Sequence, residues 1–158
     1  MIAFGLNVVI AIIWLLLSRT PSAMVFAVGF VVGFALVAAF RTVVGGESYV
    51  RRCLAFVRFV LVFTREFVVA NGKVAWMVLF RSRESLHPNF LTYDVTGLTR
   101  HEILLLSYCI SLTPGTTTVD VSPDFKTLVI HALDADNPDD IRAEVRRTLE
   151  RSILAFTR

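Results

Sequence analysis

The first forty residues of the chain are almost entirely apolar, and their only charged side chain is that of Arg19. Arg19 separates two apolar runs, Ile2–Leu17 and Ser22–Phe40. Neither run has the polar face that a surface helix of a globular domain needs. Because a membrane span takes about 20 mostly apolar residues, we interpret residues 1–42 as a transmembrane helical hairpin. A signal peptide is the alternative for the first run, but the run lacks a basic start and a small-residue cleavage site.

Small and polar residues within the two runs are candidates for helix packing. Gly29 and Gly33 are four residues apart, so they share one helix face and allow a second helix to approach closely. That second helix is either the first run or a helix of another subunit. Asn7 is an amide within the first run, and it either bonds to a partner helix or lies close enough to the interface to stay hydrated. All three are candidate packing or subunit-contact residues.

A basic amphipathic helix is expected over residues 47–82, after a break at Gly45-Gly46. At 100° per residue the six charged side chains from Arg51 to Lys73 fall within one stripe of about 140°, and a wide apolar face with several phenylalanines covers the rest. Arg58, Arg65 and Glu66 would lie near the centre of any crossing, where unpaired charge is costly. We therefore favour an interfacial or obliquely inserted helix, with a third transmembrane helix as the alternative. These three residues are further contact candidates.

The remaining residues, 88–158, predict a small α+β domain with the element order β-α-β-β-α. Phe90–Val95 is a strand candidate, and Thr99-Arg-His-Glu102 has the spacing of a capping box before an apolar helix. Thr116–Ser122 and Thr127–Leu133 alternate in polarity and predict a hairpin. In the first of these strands one face is expected to carry Thr117, Val119 and Val121. A final helix starts at a cap followed by proline, and its apolar face comprises Ile141, Val145, Leu149, Ile153 and Phe156.

Charge is divided unevenly along the chain, although the formal net charge is only +3. Residues 41–83 have eight basic and two acidic side chains, whereas residues 84–158 have seven basic and eleven acidic ones. A basic band beside a membrane hairpin is typical of the cytoplasmic side, so we expect the C-terminal domain to be cytoplasmic. The arginines are embedded in apolar sequence, which argues against a nucleic-acid surface.

The sequence offers no pattern typical of an enzyme or of a metal site. Ser107 and Cys109 lie in an apolar helix without a nucleophile-elbow motif. The most ligand-like cluster is His131 with Asp134 and Asp136, but strand alternation places His131 on the face opposite Asp134. We therefore expect no catalytic residue, no cofactor and no bound metal.

Three segments of the C-terminal domain resemble a known family. They are Ser111-Leu-Thr-Pro-Gly-Thr116, Val119-Asp-Val121 and Leu128-Val-Ile-His131. Together with the apolar start and the basic middle, they resemble the E subunit of Mrp-type multisubunit sodium/proton antiporters over essentially the whole chain.

This resemblance implies an accessory subunit of a bacterial cell-membrane complex that exchanges sodium for protons. The ion-carrying groups would lie in other subunits, and those subunits and membrane lipids would be the partners. No catalytic motif is carried over to any residue of this chain. The alternative function is a stand-alone, membrane-tethered binding module whose C-terminal domain captures a partner.

Overall fold

The structure, a computed structural model, describes residues 2–158 apart from the side chain of Arg83, and it divides the chain into two compact units. Unit 1 ends at Leu54, and unit 2 is Ala55–Arg158. The helices are α1 Ile2–Leu17, α2 Ala23–Ala39, α3 Glu47–Phe80, α4 Arg100–Leu112, α5 Pro138–Val145 and α6 Arg151–Thr157. The strands are β1 Asn89–Asp94, β2 Thr116–Val121 and β3 Thr127–Ala132. A 3-10 turn covers Arg83–Ser85, and a π-helical segment, Arg146–Glu150, joins α5 to α6.

Helices α1 and α2 pack against each other as the expected hairpin in unit 1. Ser22 caps α2, because its hydroxyl accepts a hydrogen bond from the backbone N–H of Val25 at 3.3 Å. Helix α1 has 16 residues and α2 has 17, fewer than the about 20 expected of a membrane span. Within residues 2–158, no helix is both long enough and apolar enough to cross a membrane. The two predicted helices are present and packed together, and their placement in a membrane stays a prediction.

Helix α3 contributes one edge of its apolar face to the core of unit 2. Phe59 is buried, and its ring centroid lies 5.2 Å from that of Phe156 at the end of the chain. Phe63 packs on the same cluster, 6.1 Å from Phe59 between ring centroids. The small C-terminal domain thus gains apolar burial from a helix outside its own β-α-β-β-α order, which is the support that a core of this size needs.

The C-terminal domain confirms the α+β class and the predicted element order. Its three strands form an antiparallel sheet in the order β1-β3-β2, with Leu91 opposite Ile130 and Val121 opposite Leu128. Helix α4 lies between β1 and β2 in sequence, and its buried side chains join those of the sheet in one core. The largest fully buried apolar residues of this core are Tyr93, Leu106, Ile110, Leu128, Ile130, Ile153 and Val95.

The sequence predicted that Thr117, Val119 and Val121 lie on one face of β2. This prediction was wrong for the C-terminal half of the strand. The pairing with β3 shifts between Thr118 and Asp120, so Val119 is an extra residue without a partner. A β-bulge of this kind rotates the residues after it relative to those before it. Val119 is therefore exposed, whereas Val121 packs against the core.

The predicted final helix contains a π-helical turn in its middle. Its apolar residues recur at every fourth position, and on a regular α-helix three such steps drift by about 120° round the axis. A π turn adds a residue per turn and offsets this drift. Val145, Leu149 and Ile153 consequently all point into the same core.

Candidate subunit-contact sites

The two candidate glycines of α2 lie directly against α1 within unit 1. A Cβ atom built on Gly29 would lie 2.7 Å from Cβ of Trp14 and 3.1 Å from the carbonyl oxygen of Ala11. One built on Gly33 would overlap the side-chain oxygen of Asn7. Distances this short leave no room for any side chain. The glycine pair therefore sets the closest approach of α1 and α2.

Asn7 is completely buried at this contact and joins α1 to the start of α3. Its Nδ2 donates a hydrogen bond to the Tyr49 hydroxyl at 2.7 Å. Its Oδ1 has no hydrogen-bond partner within the described part of the chain and lies against Gly33. A Cα–H group of glycine is the weak donor available there. Of the two interpretations of Asn7, the structure supports helix packing within this chain.

The other three candidates lie on α3 in unit 2 and differ in exposure. Arg58 is exposed, and it makes no hydrogen bond or ion pair with any residue that the structure describes. Arg65 pairs with its neighbour Glu66 at 3.1 Å; the Arg65 side chain is 76% exposed and that of Glu66 only 14%. The arginines therefore face outward, while Glu66 is turned toward the rest of unit 2.

Glu66 lines an open cleft of about 160 Å³ within unit 2. Helix α3 forms one wall, the turn between α4 and β2 forms a second, and α5 with the π segment forms the third. Apolar side chains predominate, and an ion pair between Lys73 and Glu144 at 3.8 Å spans two of the walls. The cleft brings an acidic group from α3 close to a sequence segment that carries the family resemblance.

That segment, Thr113-Pro-Gly-Thr116, has an evident structural role at the end of α4. The hydroxyl of Thr113 donates to the carbonyl of Cys109 at 2.8 Å, and the hydroxyl of Thr116 donates to the carbonyl of Ile110 at 3.0 Å. Both carbonyls also accept from the backbone N–H of Thr113, so the two hydroxyls reinforce the cap at the end of α4. Pro114 stops the helix, and Gly115 adopts φ 95°, which favours glycine. The motif therefore terminates α4 and directs the chain into β2.

The ligand-like cluster differs from the one that the sequence pointed to. His131 packs against the ring of Phe90 at 4.8 Å, whereas His87 from the linker joins Asp134 and Asp136. Nδ1 of His87 lies 2.6 Å from a carboxylate oxygen of Asp136. Asp134 is paired with Arg81, which already balances its charge. Arg81 and His87 of the linker thus contact the two aspartates of the loop after β3, a grouping that sequence spacing could not reveal.

A second network that sequence analysis missed holds the end of the chain to the capping box of α4. Glu102 is 3% exposed and accepts from the Thr99 backbone N–H at 2.7 Å, from the Thr157 hydroxyl at 2.7 Å and from the Arg158 guanidinium at 3.2 Å. Arg158 also donates to the Gly97 carbonyl at 2.8 Å. The Arg158 guanidinium, with these other donors, holds the pKa of the Glu102 carboxyl at about 2, against an ordinary 4.5.

The buried side chains of Cys109 and Tyr93 also have raised pKa values. The two side chains do not form a catalytic arrangement with each other. Burial raises the pKa of the Cys109 thiol to about 11, so the thiol stays protonated at neutral pH. Burial and a 2.6 Å hydrogen bond to Glu150 raise the pKa of Tyr93 above its ordinary value. The Tyr93 hydroxyl donates to Glu150 and anchors the π segment to β1. Both residues serve the packing of the domain.

The hairpin exposes large apolar side chains on most of its surface, including those of Ile2, Leu16, Leu17, Met24 and Val31. Apolar surface of this extent is typical of a subunit that a membrane or partner chains cover in its working state. A helical hairpin with such a surface, joined to a small α+β domain, is typical of a chain that works in contact with lipid or with partner chains.

Comparison with known proteins identifies the family. The family model described as Na+/H+ ion antiporter subunit matches residues 7–156. The chain is 34% identical over 153 residues to the E subunit of the Na(+)/H(+) antiporter of Alkalihalophilus pseudofirmus, covering 97% of this chain and 96% of that protein. It is 32% identical over 154 residues to the protein of the same name from Bacillus subtilis, again covering 97% and 96%. The chain belongs to this antiporter subunit family.

One solved structure agrees with this assignment, and a second shares the fold. A chain of the Mrp complex from Dietzia sp. is similar with a TM-score of 0.50 and 27% identity, covering 65% of this chain and 96% of that chain. A chain of an archaeal respiratory membrane complex, the membrane-bound sulfane sulfur reductase, has a TM-score of 0.57 at 23% identity. It covers 97% of this chain and 98% of that chain, and it shares the fold.

Proposed function

We propose that this protein is an accessory subunit of a multisubunit sodium/proton antiporter in the bacterial cell membrane, a transporter component rather than an enzyme. The full-length similarity to the E subunits of such antiporters carries the proposal. In this function the chain supports assembly and activity of the complex, and its partners are the other antiporter subunits. The stand-alone binding module remains the competing hypothesis.

The exposed apolar hairpin supports placing unit 1 in the membrane. A helix of 16 residues is about 24 Å long, which is roughly 6 Å less than the hydrocarbon thickness of a typical bilayer. Helices with such a mismatch are accommodated by local thinning of the bilayer or by packing among partner helices. The basic band after α2 favours the cytoplasmic side for unit 2. Labelling of a cysteine at Ser152 from outside the cell would contradict this orientation.

The chemistry of the helices supports a role outside the ion path. Intramembrane proton relays are built from ionisable side chains, and α1 and α2 contain no Asp, Glu, Lys, Arg or His. Glu66 is the candidate for a proton-relay residue on α3, and its carboxylate is paired with Arg65. Among the described residues of unit 1, the buried polar side chain is the uncharged amide of Asn7. These observations fit a chain that contributes structure to the complex.

Co-purification distinguishes the two hypotheses. When the tagged chain is purified from native membranes in a mild detergent, we expect large antiporter subunits to co-elute in a fixed ratio. The matched control is a chain with the same tag in which Gly33 is changed to leucine, because this change disrupts the hairpin contact. Elution of the unmodified chain alone, or with a cytosolic protein only, would favour the binding module.

A further inference from the structure

The outward face of α3 in unit 2 carries an apolar stripe that no residue described by the structure covers. Val57, Leu61 and Val68 are 54%, 66% and 63% exposed. At 100° per residue they lie within about 40° of one another round the helix. The buried Phe59 is on the opposite side of α3, where it packs against Phe156. The helix therefore has one apolar side in the core of unit 2 and another facing away from it.

Two arginines border this exposed stripe. Arg58 and Arg65 are seven residues apart, so they lie nearly in line, about 70° round the helix from the centre of the stripe. Arg58 bonds to no residue that the structure describes. Arg65 has a partner in Glu66 but stays 76% exposed, and a guanidinium has five N–H donors, so most remain available.

We propose that this face of α3, formed by Val57, Arg58, Leu61, Arg65 and Val68, docks on a bilayer surface that contains anionic phospholipid. The aliphatic side chains enter the boundary between headgroups and acyl chains, and the two guanidinium groups bind lipid phosphates. An apolar stripe beside a basic row is the pattern of helices that lie in the membrane interface. The aliphatic stems of the arginines extend along the apolar surface while their charged ends reach the phosphates.

Charge complementarity favours lipid over a protein partner as the occupant. Both charges that border the stripe are positive, and anionic headgroups attract each nearby arginine with a gain of about fivefold in binding. The exposed Thr64 lies about 40° round the helix from the centre of the stripe, so the choice of lipid as the occupant rests on the two positive charges. The inference rests on the proposed function, because α3 reaches the bilayer only if the hairpin lies in the membrane.

The test uses the full chain in nanodiscs of phosphatidylcholine alone or of phosphatidylcholine mixed with phosphatidylglycerol. An environment-sensitive fluorophore is attached at L61C in a background that carries C53A, since the thiol of Cys109 is buried. We expect its emission to shift to the blue, and to be quenched by lipid-attached spin labels, when phosphatidylglycerol is present. R58Q/R65Q should lower the ratio of docked to undocked helix by about 25-fold, and added salt should lower it as well.

The matched control is R147Q/R151Q, which removes the same charge from exposed arginines at the junction of the π segment and α6 and should leave the emission unchanged. Three results would overturn the proposal: no dependence on phosphatidylglycerol, an equal effect of the control pair, or a label that is shielded only when other subunits are present. The last result would assign the face to a protein partner. In each case, continued co-elution of the antiporter subunits would leave the proposed function standing, and loss of co-elution would remove it.

Discussion

Changing Glu102 to alanine is expected to destabilise the C-terminal domain by about 3 kcal/mol, because the change leaves a guanidinium and several donors without their acceptor. Glu102 completes the capping box of α4 and also binds Thr157 and Arg158 at the end of the chain. Thermal unfolding of the full chain in detergent, followed by circular dichroism, measures the effect. Glu84 is exposed, and its change to alanine is the matched control, which should leave the melting temperature within error of the unmodified chain.

The same carboxyl predicts a dependence of stability on pH. Its pKa in the folded chain is about 2, below the ordinary 4.5, so the folded state binds this proton less readily than the unfolded state. The stabilisation is fully present above the ordinary value and is lost as the pH falls toward 2. The difference in melting temperature between the unmodified chain and Glu102→Gln should therefore shrink over that interval. A difference that is constant with pH would show that the ion pair with Arg158 contributes little.

Changing Gly33 to leucine should separate α1 from α2 and reduce the amount of assembled complex severalfold. The new side chain would overlap the Asn7 amide and meet Cβ of Ile10, and overpacking of such a contact costs about 3 kcal/mol. It would also displace Asn7 from its hydrogen bond with Tyr49. Native gels of solubilised membranes, with total chain measured by immunoblot, give the assembled fraction.

Gly5 supplies the control for this substitution. A Cβ on Gly5 meets no atom within 4 Å, so Gly5→Leu adds the same side chain to the same hairpin without a clash. We expect Gly5→Leu to assemble normally and Gly29→Leu to behave like Gly33→Leu, because Gly29 is also in close contact with α1, at Trp14. Normal assembly of Gly33→Leu would mean that the hairpin contact is not required in the complex.

Local features of the fold could be predicted from sequence because short-range physics determines them. The spacing of Thr99 and Glu102 predicted the capping box, which the structure confirms with both of its hydrogen bonds. The charge-free runs predicted the hairpin, and turn residues predicted the order of strands and helices. The bounds of the two apolar helices were predictable as well, because α1 covers the first run, Ile2–Leu17, and α2 lies within the second, Ser22–Phe40.

Contacts between distant segments could not be predicted, although they determine what the candidate residues do. Arg158 reaches Glu102 across 56 positions, and no local pattern signals that pair. His87 joins Asp136 only because β1 and β3 are neighbours in the sheet. The bulge at Val119 likewise depends on pairing with β3. The spacing of Gly29 and Gly33 marked them as packing candidates, but only the structure places them against α1.

Antiport in everted membrane vesicles, normalised to the amount of assembled complex, tests the accessory role most directly. The informative variant is Glu66→Gln, which removes the acidic group of α3 that lines the cleft and preserves the shape of the side chain. Vesicles that lack the chain altogether give the baseline. An accessory subunit predicts sodium-dependent proton transport close to that of the unmodified complex. Loss of transport in a fully assembled Glu66→Gln complex would place Glu66 in the ion path and contradict the accessory role.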